Sequence, residues 1–430
     1  MESDRRSLDN DRGSNCAFWL DRQIHYPHGT HQRMKIPHHR IIDNSAVGNR
    51  FADFGPWASG IVRLCLCMAT ICVIFGSSGC RRQGVPPSPY LVFVVNKQSQ
   101  SVAVVDMATT QIVASVPVAP MPFQAVRRPK NDEVYVVSQS GKISVISFPS
   151  LTVSATIDIG QAAGDTVFSA DGSHAYTLDP QAGQVLFVDC DTRTVSGRVA
   201  VVQNLANMAI TPDGKTLIAS DPTGDKLYFI STDSQKVLGA VKVGKTPGPL
   251  VVSRDGSEIF VADTGDEKIS AAEISSRTIL AHIEMGTKPN GLILKPDGGE
   301  LLVLSNEGST MTIIDASHDN IEQVLPTGKG PVAAVFKKDS SMMYLATETD
   351  GFVTAFDINN RTVLTTVHAG VSPESLALTP DERFLAVADS ATGNLAILRA
   401  APLSLMTVVP VGADPVDVVI PGWEWHTSKQ

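Results

Sequence analysis

Carboxylates and carboxamides recur at fixed intervals along residues 90–420, and they are the side chains of this chain best placed to do chemistry. Asp179, Asp221 and Asp263 stand 42 residues apart, Asp389 follows three intervals later, and Asn96 leads the series. A second set, Asp165, Asn207, Asn290, Glu374 and Asp417, falls between them. Oxygen donors converging on one ring could hold a hard cation such as calcium or orient a polar ligand. Asp and Asn also cap turns at strand ends, where their oxygens accept backbone N–H bonds, and that structural role has the greater weight. Lys245, Lys288 and Lys329 lie in neighbouring Gly-rich loops and offset part of the negative field.

Other reactive arrangements are thin. The chain has no Gly-x-Ser-x-Gly, Cys-x-x-Cys, Cys-x-x-Cys-His or His-Glu-x-x-His, which removes support for serine hydrolases, zinc proteases and covalent haem attachment. His174, His282, His318 and His368 occupy different registers of the repeat, so a histidine cage or an axial haem ligand is not expected. No cofactor is therefore assigned, calcium or another hard divalent cation being the alternative. Cys190 is the one cysteine beyond Cys80, so no internal disulfide forms in this region and strand pairing must hold it.

The elements that position these residues follow from the repeat. A tight-turn Asp recurs at Asp171, Asp213, Asp255, Asp297, Asp339 and Asp381, always 42 residues apart. Between Pro289 and Gly328 four short runs rich in Val, Ile and Leu alternate with Gly, Pro, Asp and Asn, which predicts four antiparallel strands and no helices. Pro-Asp-Gly joins the first two as a hairpin and drifts to Lys338-Asp339-Ser340 and Pro380-Asp381-Glu382. One such sheet cannot bury both faces alone, so successive sheets stack radially into an all-β propeller. First-strand openings at Pro122, Ala163, Leu205, Pro247, Pro289, Pro331, Pro373 and Pro415 give eight blades, with seven as the alternative. An orphan set, Leu91 to Val118, lacks a first strand and Pro415 to Ile420 lacks the other three, so the two chain ends should build the last blade together.

Tyr90-Leu-Val-Phe-Val-Val-Asn96, Val102-Ala-Val-Val-Asp106 and Ile259-Phe-Val-Ala-Asp-Thr-Gly265 resemble the YVTN-type propeller repeat. The Gly of its Gly-x-x-Pro element stands at Gly160, Gly244, Gly286, Gly328, Gly370 and Gly412, and the resemblance covers nearly all of residues 90–420. The Asp closing the third strand holds at Asp106, Asp189, Asp315 and Asp357 but is Ser147, Ser231, Glu273 and Arg399 elsewhere. The family includes surface-layer proteins, YncE-like periplasmic proteins and lactonase-like enzymes, so the resemblance implies a fold and leaves the reaction open.

Five segments are expected: a polar leader (1–61), an export signal (62–80), a linker (81–89), the propeller (90–421) and a tail (422–430). The second runs Arg63, an apolar stretch of about a dozen residues, then Gly-Ser-Ser-Gly-Cys80, which fits a secretion signal and is too short for an ordinary span. Its end resembles a bacterial lipoprotein box, with Cys80 as the lipidated residue. A leader ahead of a signal is unusual, so translation is expected to start near Met34 or Val62. The net charge of −9 argues against nucleic acid, whose phosphates need a basic patch. These features together predict a monomeric, lipid-anchored envelope protein, periplasmic or on the outer membrane. It would be a non-enzymatic binding or scaffold protein for a protein, peptide or glycan, touching membrane through its anchor alone. The alternative is a lactonase-like hydrolase with an acidic, metal-assisted site. Tying Asp165, Asn207 and Asp417 to backbone amides would remove that alternative.

Overall fold

The computed structural model describes residues 88–148 and 150–422. The leader, Cys80 and its signal, most of the linker and most of the tail lie outside the described residues. Within them every regular element is a strand, and the 32 strands form eight four-stranded sheets. All pairing within the sheets is antiparallel, as the hairpin turns require. Blade 1 is assembled from both ends of the chain: Leu91–Asn96, Ser101–Asp106 and Gln111–Pro117 are joined by Pro415–Val419 as the innermost strand. Blades 2 to 8 follow in sequence, their innermost strands being Pro122–Arg127, Thr166–Phe168, Met208–Ile210, Pro247–Val252, Gly291–Leu294, Pro331–Phe336 and Pro373–Leu378. Eight blades and the shared closing blade are thus as expected.

Burial explains the composition of each strand. The two middle strands of a blade are sandwiched between neighbouring sheets and read as unbroken apolar runs; Ile259, Phe260, Val261 and Ala262 are all fully buried. The outermost strand has one covered face, so Thr278–Glu284 alternates exposed and covered positions. Eight apolar clusters fill the eight gaps between adjacent blades, including blade 8 against blade 1, where Val92 and Val94 meet Ala386 and Ile397. The ring is therefore closed by packing as well as by pairing. Tyr90 reinforces the seam: its hydroxyl donates to Asp381 Oδ2 at 2.9 Å and its ring meets Phe384 edge-on at 5.3 Å.

The openings differ in detail. A Pro opening begins its strand at once in blades 1, 2, 5, 7 and 8, but Ala163 and Leu205 are buried in loops and their strands start three residues later. The hairpin Asp behaves as the turn chemistry demands, with Asp213 Oδ1 accepting the Lys215 amide at 3.0 Å beside Gly214 at φ +72°. Where the Gly is replaced, Ser340 and Glu382 still take φ values of +61° and +59°. Blades 2 and 3 are also stapled by charge, since Arg128 binds Glu133 at 3.0 Å and Asp191, and Arg193 binds Glu133 at 2.6 Å.

Candidate functional site

Loops joining the second strand to the third, and the fourth to the next blade's first, share one face of the ring, and the predicted residues divide there into two groups. The second-strand ends Asp179, Asp221, Asp263 and Asp389 are buried and work for the fold. Asp179 accepts the Gln161 and Ala182 amides at 3.3 and 3.0 Å, and Asp221 accepts those of Thr223 and Gly224 at 3.0 and 2.8 Å. Asp389 accepts the Val371 and Ser372 amides at 3.0 and 2.8 Å, locking the loop that enters its own blade. The Gly of that loop is obligatory, because a Cβ on Gly370 would lie 2.4 Å from Asp389 Oδ2. Asn96 repeats the latch at the seam by donating to Val411 O at 3.0 Å. Asp263 takes the Ser270 hydroxyl at 2.5 Å and has a second, unpaired buried oxygen, and burial pushes its carboxyl up to about 6.

The first-strand residues gather at the channel. Asp165, Asn207, Glu374 and Asp417 line one cavity of about 570 Å³, joined by Gln124, Gln139 and Ser375. Asn290 does not reach it: its side chain donates to Pro331 O at 3.1 Å and accepts the Asn306 amide at 2.8 Å. Gln124, Asp165, Asn207, Ser375 and Asp417 each stand two residues after their blade's opening, on the five consecutive blades 8, 1, 2, 3 and 4. Blades 5, 6 and 7 carry Pro249, Gly291 and Ala333 there.

Most of this polar arc is a stitch between blades. The innermost strand of each sheet is an edge with unpaired N–H groups, and the preceding blade's side chain satisfies one of them. Asp417 Oδ2 accepts the Ala125 amide at 2.8 Å, Gln124 Oε1 the Thr166 amide at 3.1 Å, and Asp165 Oδ2 the Met208 amide at 2.9 Å. Lateral bonds tie the arc together: Ser375 Oγ donates to Asp417 Oδ1 at 3.0 Å and Gln124 Nε2 to Asp165 Oδ1 at 2.9 Å. Burial nevertheless pushes the Asp165 carboxyl upward, and it holds Asp417 at about 6 against the three bonds that favour its charge. These two acids are committed to amides of the next blade. Among the described residues, Gln139, Asn207 and Glu374 line the cavity with side chains that bond to no protein group. Gln124 and Ser375 were not among the predicted residues, although their shared register with Asp165 and Asp417 marks them.

The field across this face is uneven. Lys245, Lys288 and Lys329 sit on the loops entering blades 5, 6 and 7, opposite the polar arc. Lys245 meets Asp266 at 3.4 Å and Lys288 meets Glu307 at 3.1 Å. No group of three or more His, Cys, Asp or Glu side chains that could hold a metal ion, such as the alternative calcium, is found among the described residues.

Comparison with known proteins corrects the assignment of no cofactor. Residues 296–420 match the family model of the Cytochrome D1 heme domain. Of the solved structures, dihydro-heme d1 dehydrogenase NirN in complex with DHE is similar at a TM-score of 0.70 and 14% identity, over 79% of this chain and 77% of that one. The hydrazine synthase of Kuenenia stuttgartiensis is similar at 0.55 and 17%, over 65% of this chain and 96% of that one. A functionally unknown protein from Desulfotomaculum acetoxidans DSM 771 is similar at 0.55 and 16%, over 67% and 98%. No curated protein matches. At these identities the structures establish the eight-bladed fold, with which the YVTN resemblance is compatible. The matched family is defined by a heme domain, and this overturns the expectation of no cofactor.

The residues here fit part of such a group. Amides, hydroxyls and carboxyls around the cavity, with lysines across the face, suit the polar edge of a flat macrocycle. Its iron is not suited, because the cavity is lined by neither His, Cys, Met nor Tyr, the side chains that ligate haem iron.

Proposed function

We propose that this chain is a binding propeller that takes a heme-type macrocycle at the mouth of its channel and performs no chemistry of its own on it. The carrying observation is the broken equivalence of the inner ring. Five adjacent blades present polar groups to one cavity, three present small residues, and Asn207 and Glu374 are left without protein partners. The class of ligand is taken from the matched family and from the complex in which NirN was solved. In this reading the stitched residues Asp165, Gln124, Ser375 and Asp417 keep the mouth rigid, so little ordering is needed on binding. The lysines of blades 5 to 7 face the acidic substituents of the ligand. The apolar stretch ending in Cys80 supports placement at the cell envelope with a lipid on that cysteine.

Absorbance titration of the full chain with haemin tests the reading. Saturable one-to-one binding is expected, and Asn207→Trp, which fills the cavity with an indole, should abolish it while leaving the thermal midpoint in place. Absence of binding, or binding that survives Asn207→Trp, overturns the assignment to the channel mouth.

A further inference from the structure

The donor set of the channel disagrees with iron ligation, and the disagreement is specific. The eight innermost strands contain no His, Cys, Tyr or Lys. Their single sulfur belongs to Met208, which is 4% exposed and packed into the core between blades 3 and 4. Every histidine among the described residues stands elsewhere with a neighbour. His282 lies on the outermost strand of blade 5 with Nδ1 at 2.9 Å from Ser270 Oγ. His318 sits in a turn with Nδ1 at 2.9 Å from Asp315 Oδ2. His368 ends the outermost strand of blade 7, edge-on to Phe352 at 5.3 Å. His174 opens a second strand, at the end remote from the channel mouth, with Nδ1 at 2.8 Å from Ser173 Oγ. His318 and His368 are also the only histidines in the segment that matches the heme domain. Among the described residues on the channel face, Met121, 49% exposed on the loop entering blade 2, and the half-buried Met285, on the loop entering blade 6, do not line the cavity.

We infer that this propeller holds its macrocycle by the ring and its edge substituents, with no protein ligand to the metal, so that metal-free and iron forms bind alike. This rests on the channel-mouth reading above and adds the basis of recognition. A cavity of amides, hydroxyls and carboxyls gains the same hydrogen bonds and the same apolar contact whether or not a metal occupies the ring centre. A nitrogen or sulfur ligand would instead set the two forms far apart in affinity. The chain then suits a step that carries or presents the macrocycle, and it does not poise an iron for electron transfer.

The full chain, titrated in parallel with haemin and with protoporphyrin IX, decides the matter. Dissociation constants within about threefold of each other are expected, with haemin bands free of the low-spin signature of histidine or methionine ligation. His282→Ala, His318→Ala, His368→Ala and Met121→Ala should leave both constants unchanged. Haemin binding about tenfold or more tighter than the metal-free ring, with low-spin bands, overturns the inference whichever residue supplies the ligand. Binding of neither compound overturns the channel-mouth reading itself, and the inference falls with it.

Discussion

Asp417 is a buried carboxylate on the strand that closes the ring, and its substitution has an effect whose sign depends on pH. Its carboxyl is raised from 3.8 to about 6, with burial as the first cause, against the Ala125 amide, the Ser375 hydroxyl and the Val418 amide. A carboxyl raised on folding adds stability that is fully present below its unfolded value and is lost as pH rises through its folded value, here between 3.8 and about 6. The shift is roughly two units, so the full swing is about 3 kcal/mol, of which about 2 kcal/mol separates measurements near pH 8 from those near pH 4.5. Asp417→Asn removes the titration and keeps an acceptor for Ala125 N–H. Urea unfolding followed by far-ultraviolet circular dichroism, on both proteins at both pH values, isolates the site. Asp165 and Asp263 are also raised, while Asp315 is held down to about 2, but all of these cancel in the difference between the two proteins. The variant should gain on the parent by about 2 kcal/mol between pH 4.5 and pH 8. A difference that stays constant with pH would show that Asp417 is charged at ordinary cost in the folded ring, and would refute the burial argument.

Two further perturbations test the fold that holds the mouth. Glu133→Ala leaves Arg128, whose side chain is 8% exposed, with the exposed Asp191 as its remaining carboxylate, and deprives Arg193 of its partner as well; a loss of about 2–3 kcal/mol is expected in urea unfolding. Gly370→Ala and Gly214→Ala form a contrast: the first puts a Cβ 2.4 Å from Asp389 Oδ2, where the carboxylate is pinned by three donors, and the second meets open space at φ +72°. The first should cost about 3 kcal/mol and the second about 1–2 kcal/mol in the same assay, and equal costs would remove the latch role given to Asp389.

The fold was legible because a period of 42 carries its register with it. Asp165, Asn207 and Asp417 line one cavity, and each follows an opening by the same two residues. Asn290 stands one residue earlier, in the loop just ahead of the strand Gly291–Leu294, and bridges to Pro331 instead; Glu374 holds the same position in blade 8 and still lines the cavity. Gln124 and Ser375 share the productive register, and it is that position, not residue type, that marks them. The partners of Asp417 were beyond sequence reasoning, since Ala125 lies 292 residues away and meets it only when the ring has closed. The register argument also set the histidines off the channel, as the structure does. The step from there to no cofactor was the faulty one, for it treated a protein ligand to iron as the sole way a macrocycle can be held.

The repeat also explains why the mouth has a direction. Eight equivalent inner positions would present the same group around the whole channel, and no flat ligand could be oriented by it. Here the stitch begins at Ser375 in blade 8, passes through Asp417, Gln124 and Asp165, and stops at Asn207. It stops at blade 5, where the amide in the stitched position belongs to Leu250, directly after the irregular opening Pro247-Gly248-Pro249, and Asn207 does not accept it. The interruption that ends the structural chain leaves Asn207 unpaired at the cavity wall, next to the blades whose loops carry the lysines. In the proposed reading, stability and recognition are served by one register: occupied positions hold the ring shut, and the position at which the stitch runs out is the one that would meet the ligand.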